Sequence, residues 1–178
     1  RIESHKADLA AAEIDLGQIP EGVAEERRAL ELEPRSVAAL SSMARGYAVA
    51  GMSDSAIAIA RRLVAVTQSP GRLGTAAFVL ARSGQRAEAE AIIRRLEALT
   101  ANTWTRSSGL SMAYLGVGDT ARSVAYMERA AQGDGDLFVL FSTLTAAEIP
   151  RSSRTDAVWR RFNLDPAVIA THDAGARN

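Results

Sequence analysis

The stretch VAALSSMARGYAVAGMSDSAIAIARRL, residues 37–63, decides how the chain is read. Its centre is Gly51. Met43, Ala44 and Tyr47 precede that glycine at spacings that place them on one face of a helix. Ala56 and Leu63 follow it at spacings that again share a face. A glycine between two such runs suits a tight turn, because it reaches positive φ without a Cβ clash. Ser53 and Asp54, just past the turn, are polar residues of the kind that start helices. The stretch therefore predicts a helix, a turn and a second helix.

Working outward, the same arrangement recurs. Gly17, Gly51, Gly84 and Gly118 are separated by 34, 33 and 34 residues. Eight residues before each stand Leu9, Met43, Ala76 and Leu110. Seven before stand Ala10, Ala44, Ala77 and Ser111, all small. Four before stand Glu13, Tyr47, Leu80 and Tyr114. Five after come Gly22, Ala56, Ala89 and Ser123, and twelve after come Ala29, Leu63, Leu96 and Ala130. A small residue on a helix face lets a neighbouring helix approach, and larger ones fill the space around it. Polar starters follow the later turns too: Gln85, then Asp119 and Thr120. A regular period near ~34 residues marks one two-helix unit copied head to tail.

The second helices also match one another. Ile59-Ala60-Arg61-Arg62-Leu63 returns as Ile92-Ile93-Arg94-Arg95-Leu96, with Glu26-Arg27-Arg28-Ala29-Leu30 a weaker copy. Pro34 ends the first unit and Pro70 closes the second, since proline cannot continue a helix. This combination of small residues, turn glycine and closing proline resembles the tetratricopeptide repeat family over about residues 4–132. The second unit is the most faithful copy. The third lacks an aromatic at residue 80 and has Gly71 and Gly74 where its first helix should begin. The fourth has Gly116 beside Gly118 and no closing proline. Ankyrin repeats share the period, but their Thr-Pro-Leu-His run is absent.

The resemblance implies an all-α fold: a right-handed α-solenoid of antiparallel helix pairs, a tetratricopeptide-like superhelix with a C-terminal helical cap. Four pairs are expected over residues 1–135, at about 3–34, 36–69, 70–102 and 104–135. A helical cap should occupy 136–165 and a flexible tail 166–178. The apolar block Leu137–Leu144 is expected to fill the next stacking position. Pro150 breaks it, and Thr155 or Asp156 then caps a short helix, Ala157 to Phe162. Phe138, Phe141, Trp159 and Phe162 suit a cap that shields the apolar face of the last repeat. The order Met127-Glu128-Arg129-Ala130, Leu137-Phe138-Val139-Leu140, Arg154-Thr155-Asp156-Ala157-Val158-Trp159 and Arg160-Arg161-Phe162-Asn163-Leu164 is also similar to the closing segments of tetratricopeptide arrays in bacterial signalling proteins. That likeness implies a C-terminal sensor or docking region of a larger protein. The start at Arg1 points the same way.

Composition narrows the function. The chain is 47% hydrophobic and 24% charged, which is globular, and its 5% aromatic content suits closely packed helices. Twenty-one basic residues balance 21 acidic ones, so no general attraction to nucleic acid or an anionic membrane is expected. Without cysteine, disulfides and thiolate metal sites are excluded. No apolar run is long enough to cross a bilayer and no signal peptide opens the chain, so a cytoplasmic location is expected.

Catalytic signals are missing. His5 and His172 stand near opposite ends without partners at metal-ligand spacing, and there is no phosphate-binding Gly-Lys-Ser/Thr loop. Asp134 and Asp136 alternate with glycines in a faint echo of a calcium loop that lacks its later glutamate, which reads as a plain turn. The expectation is a non-enzymatic module with no cofactor and no metal.

The resemblance places partner binding in a concave groove lined by the first helix of each unit. Carried over from the turn glycines, the groove residues are Ser41, Arg45 and Ala48; Gly74, Phe78 and Arg82; and Ser108, Met112 and Leu115. The candidates for partner contact are Ser41, Arg45, Phe78, Arg82, Ser108 and Met112. The arginines suit an acidic group on a peptide, and Phe78 and Met112 suit an apolar side chain. Phe78 and Met112 as plain packing residues is the competing reading. The family's lysine–asparagine carboxylate clamp is absent. The expected partner is a protein or peptide, with an effector-sensing or homo-oligomerising module that regulates an attached cyclase, kinase or DNA-binding domain as the alternative. The Arg61-Arg62 and Arg94-Arg95 pairs are expected to form a solvated convex face.

Overall fold

The structure, a computed structural model, describes residues 19–99, 104–132, 149 and 151–161. Regular structure among these residues is entirely α-helical. The helices are α1 (Ile19–Leu32), α2 (Val37–Val49), α3 (Ser53–Val66), α4 (Pro70–Arg82), α5 (Arg86–Glu97), α6 (Trp104–Gly116), α7 (Thr120–Ala131) and α8 (Ser153–Arg161). Each helix from α1 to α7 packs on the one that follows. In addition α2 packs on α4, α4 packs on α6, and α8 rests on α7.

The turns explain the glycine spacing. Gly51, Gly84 and Gly118 have φ of 71°, 87° and 83°, the left-handed region that glycine enters without strain. All three turns close with the same pair of hydrogen bonds. Gly51 N–H donates to Ala48 O (3.2 Å) and Met52 N–H to Tyr47 O (2.9 Å). Gly84 and Gln85 repeat this onto Ala81 and Leu80, and Gly118 and Asp119 onto Leu115 and Tyr114. This is the Schellman arrangement, which satisfies carbonyls that a helix end leaves free. Gly17 lies outside the described residues.

The repeat columns form the core. Met43, Ala76 and Leu110 are buried, as are Ala44, Ala77 and Ser111, and Tyr47, Leu80 and Tyr114. Past the turns, Ala56, Ala89 and Ser123, and Leu63, Leu96 and Ala130, are buried as well. Each enclosed leucine contributes about 1.5–3 kcal/mol relative to exposure. Where the last unit exchanges alanine for serine in both small columns, the hydroxyl is satisfied: Ser111 Oγ donates to the Ser123 carbonyl at 3.0 Å.

Several helix ends differ from the expectation. Pro70 opens α4 at its first position, where its missing N–H costs nothing, while α3 has already stopped at Val66. Ser53 begins α3 but does not cap it. The flanking residue is Met52, and no side-chain hydrogen bond caps the end. Asp119 is a true cap, accepting from Arg122 N–H at 3.0 Å. The last helix begins earlier than expected, at Ser153, and is capped by Ser152 in place of Thr155 or Asp156. Ser152 Oγ accepts from Thr155 N–H (3.2 Å) and Thr155 Oγ1 accepts from Ser152 N–H (2.8 Å). This reciprocal box satisfies two end groups at once. In α8, Val158 and Trp159 are buried. Phe138, Phe141, Phe162, Leu137–Leu144 and the 166–178 tail lie outside the described residues.

Gly74, Gly109 and Gly116 are close-approach points between α4 and α6. A Cβ at Gly109 would lie 2.7 Å from the Pro70 carbonyl carbon, and one at Gly116 would lie 2.5 Å from Phe78 Cα. Early meets early and late meets late, so the two helices run parallel with backbones nearly touching. Gly109 and Gly116 are two turns apart and share a face.

Candidate partner-binding face

α2, α4 and α6, the first helices after the boundaries near Pro34, Pro70 and Thr105, lie side by side through the α2–α4 and α4–α6 contacts. They carry all six candidate residues. Ser41, Phe78, Ser108 and Met112 are buried, at 0%, 3%, 2% and 4% exposure. Phe78 backs onto Gly116, and both Phe78 and Met112 belong to the continuous apolar core. Ser108 Oγ donates to Thr105 O within its own helix at 2.9 Å. These four side chains are therefore taken up in packing in this structure. Arg45 is half-buried and Arg82 is exposed.

The α1–α2–α4 junction holds a polar cluster that the sequence does not announce. Glu26 is only 1% exposed, and neither carboxylate oxygen has a hydrogen-bond partner. Burial pushes its pKa up, against smaller lowering effects from Ser42 and Arg45. Ser41 Oγ, one turn before Arg45, is also enclosed without a partner. Arg72, half-buried on α4, has its pKa held down by burial and by the positive charge of Arg45. Spacing from the turn glycine did not select Arg72 because it sits before the groove positions, in the first turn of α4.

A second network ties α6 to α7. Tyr114 O–H donates to Glu97 Oε1 (2.5 Å) and accepts from Arg122 (2.9 Å). Tyr114 stacks on Tyr126 with ring centroids 5.7 Å apart, and the Arg122 guanidinium lies 4.6 Å from the Tyr114 ring centre. Burial and the Glu97 hydrogen bond push the Tyr114 hydroxyl up to about 12. These groups satisfy one another and leave no open acid–base pair.

Three of the four paired arginines on the second helices, Arg61, Arg62 and Arg95, do more than meet solvent. Arg61 forms a forked contact with Glu88 across α3 and α5, at 3.1 and 2.6 Å. Arg62 donates to Pro34 O (3.1 Å), and Arg95, at the equivalent repeat position, donates to Gln68. Equivalent arginines thus reach back to the end of the preceding unit. All are solvent-exposed, so their energetic weight is small.

Among the described residues no three His, Asp or Glu side chains gather in a way that could hold a metal ion. No helix among them is long and apolar enough to cross a membrane. No protein-family model and no curated protein matches the chain.

Proposed function

We propose that the chain is a tetratricopeptide-type scaffold, a right-handed solenoid of helix pairs, that binds a protein or peptide through the face made by α2, α4 and α6. The observation that carries this reading is the side-by-side packing of alternate helices. α2 meets α4 and α4 meets α6, with equivalent turns between the members of each pair. Such a stack presents an extended surface whose side chains, not its backbone, select the partner. The balanced charge favours a protein partner over nucleic acid. Similarity of the C-terminal segments to those of bacterial signalling proteins supports a role as the non-catalytic docking part of such a protein.

The test is a pull-down with the purified chain, with captured proteins confirmed by direct binding. Arg45→Glu combined with Arg82→Glu reverses the charge on two helices of the face. The double variant should keep the wild-type helical content and lose at least tenfold in affinity. Unchanged binding by the folded variant would remove this face from the function.

A further inference from the structure

We propose that the cleft between α3 and α5 docks a tyrosine side chain of a partner peptide, with Arg61 and Glu88 holding the phenol hydroxyl. The site does not depend on the reading of the α2, α4 and α6 face as partner-binding.

The cleft has a volume of about 250 Å³. Arg61 and Val64 of α3 line it from one side, Glu88, Ala91 and Ile92 of α5 from the other, and Leu80 of α4 lies between. Leu80 and Ile92 are buried, Val64 is half-buried and Ala91 is exposed, so an apolar base opens to water. The forked contact of Arg61 with Glu88 joins the two sides. An apolar cavity of roughly 150 Å³ is enough to hold a benzene ring, so a phenol has room here.

The repeat supplies the template for the occupant. Leu80 stands four residues before its turn glycine, and the same place in the flanking units holds Tyr47 and Tyr114. Both tyrosines are buried, and each hydroxyl accepts from an arginine: Tyr47 from Arg27 at 3.0 Å and Tyr114 from Arg122 at 2.9 Å. Arg27 and Arg61 occupy one repeat position, ten residues after Gly17 and Gly51. Glu88 and Arg122 occupy another, four after Gly84 and Gly118. The α5–α7 junction is therefore the filled counterpart of the α3–α5 cleft. There the Tyr114 hydroxyl lies between a carboxylate of the earlier helix, Glu97, and a guanidinium of the later one, Arg122. In the cleft the two charges are exchanged, with the guanidinium on α3 and the carboxylate on α5. Ile92 also stands where Tyr126 stacks on Tyr114. Leucine and isoleucine replace two rings, and the space is open.

A second copy of the chain has no tyrosine to offer. Its three, Tyr47, Tyr114 and Tyr126, are all packed against its own core. The ring therefore comes from a different molecule. Its body would bury apolar area against Val64, Leu80 and Ile92, while its hydroxyl would gain charge-assisted hydrogen bonds at the mouth. The Arg61–Glu88 pair is exposed and yields at little cost.

The experiment titrates the chain with short alanine peptides, capped at both ends, that carry a central tyrosine, phenylalanine or leucine. p-Cresol serves as a free phenol, and the methyl NMR signals of Val64, Leu80 and Ile92 report binding. The tyrosine peptide should shift these signals saturably and bind about fivefold more tightly than the phenylalanine peptide, the worth of one hydrogen-bonded hydroxyl. The leucine peptide and p-cresol should bind more weakly than the tyrosine peptide. Leu80→Tyr should fill the cleft from inside, as Tyr47 and Tyr114 do in their units, and abolish binding. Ala91→Leu, at the exposed lip, should narrow the entrance and weaken binding, and it decides the matter if Leu80→Tyr does not fold.

The absence of a saturable shift, equal affinity for the tyrosine and leucine peptides, or unchanged binding by a folded Leu80→Tyr or Ala91→Leu chain overturns the site. p-Cresol binding as tightly as the tyrosine peptide overturns the peptide as the source of the ring. The pull-down test with Arg45→Glu and Arg82→Glu changes no residue of this cleft, so the two readings fail separately.

Discussion

The carbonyl carbon of Gly109 lies 2.6 Å from the point a Cβ on Gly74 would occupy. No side chain fits there, and the obstacle is backbone, which cannot rotate away. Gly74→Ala should therefore force α4 and α6 apart and cost about 3 kcal/mol, at the upper end of ordinary overpacking. Gly71→Ala is the contrast. Its Cβ would meet only Ser108 Oγ at 3.8 Å, an ordinary contact. That variant should be neutral or gain up to about 1 kcal/mol from the stiffer unfolded chain. Chemical denaturation of both proteins checks the difference in sign.

At Gly84 the constraint is conformational and space is not limiting. Nothing lies within 4 Å of a Cβ built there, yet φ is +87°. Gly84→Ala should cost about 1–2 kcal/mol through left-handed strain alone. Gly84→Asn should cost less, because asparagine tolerates this region better. Equal melting temperatures for the two variants would show that strain is not the cause.

Much of the helical layout was legible because it rests on local rules. Turn glycines, small columns and apolar columns repeat at fixed offsets, and in α2 to α7 these positions are the buried ones. Gly71 and Gly74 read as a weak helix start, whereas α4 includes both. The spacing of Gly109 and Gly116 on one face was the available clue to a close helix contact. The Ser152–Thr155 box was missed because threonine stands where the usual signature has glutamate or glutamine. The candidate face was harder to read. Repeat position puts Phe78 on α4 and Met112 on α6, but their burial depends on how neighbouring helices fill space around them. The setting of Glu26 and Arg72 depends on three helices meeting, which no single periodicity encodes.

Glu26 is the group whose titration should be most visible at mildly acidic pH. Burial raises its pKa above 4.5, so the folded state prefers the protonated form. That preference is fully present below the unfolded value and is lost as pH rises through the folded one. At pH 7 the buried carboxylate is therefore a liability. Glu26→Gln should stabilise the chain by about 1 kcal/mol there, roughly 3 °C in Tm. The advantage should shrink as pH falls toward the unfolded value of 4.5 and fade below it, as the glutamate becomes neutral in both states. Melting curves from pH 4 to 8 would expose a constant difference, which this account forbids.

Tyr114 makes the opposite end of the pH range informative. Its hydroxyl is held at about 12 in the folded chain against 10.0 when unperturbed, chiefly by burial and secondly by its hydrogen bond to Glu97. The neutral phenol is the form the fold retains, so its contribution is intact below pH 10. Above pH 10 the unfolded chain ionises first, and the contribution falls away until the folded phenol also titrates near 12. Tyr114→Phe should cost about 1 kcal/mol at pH 7, through loss of the Glu97 and Arg122 hydrogen bonds. The gap between wild type and variant should close between pH 10 and 12. Absorbance at the phenolate band supplies a second readout: the variant should lack a late-titrating tyrosine. If every tyrosine of the wild-type chain ionised together near pH 10, Tyr114 would have to be more open to water than its packing against Tyr126 and Arg122 allows.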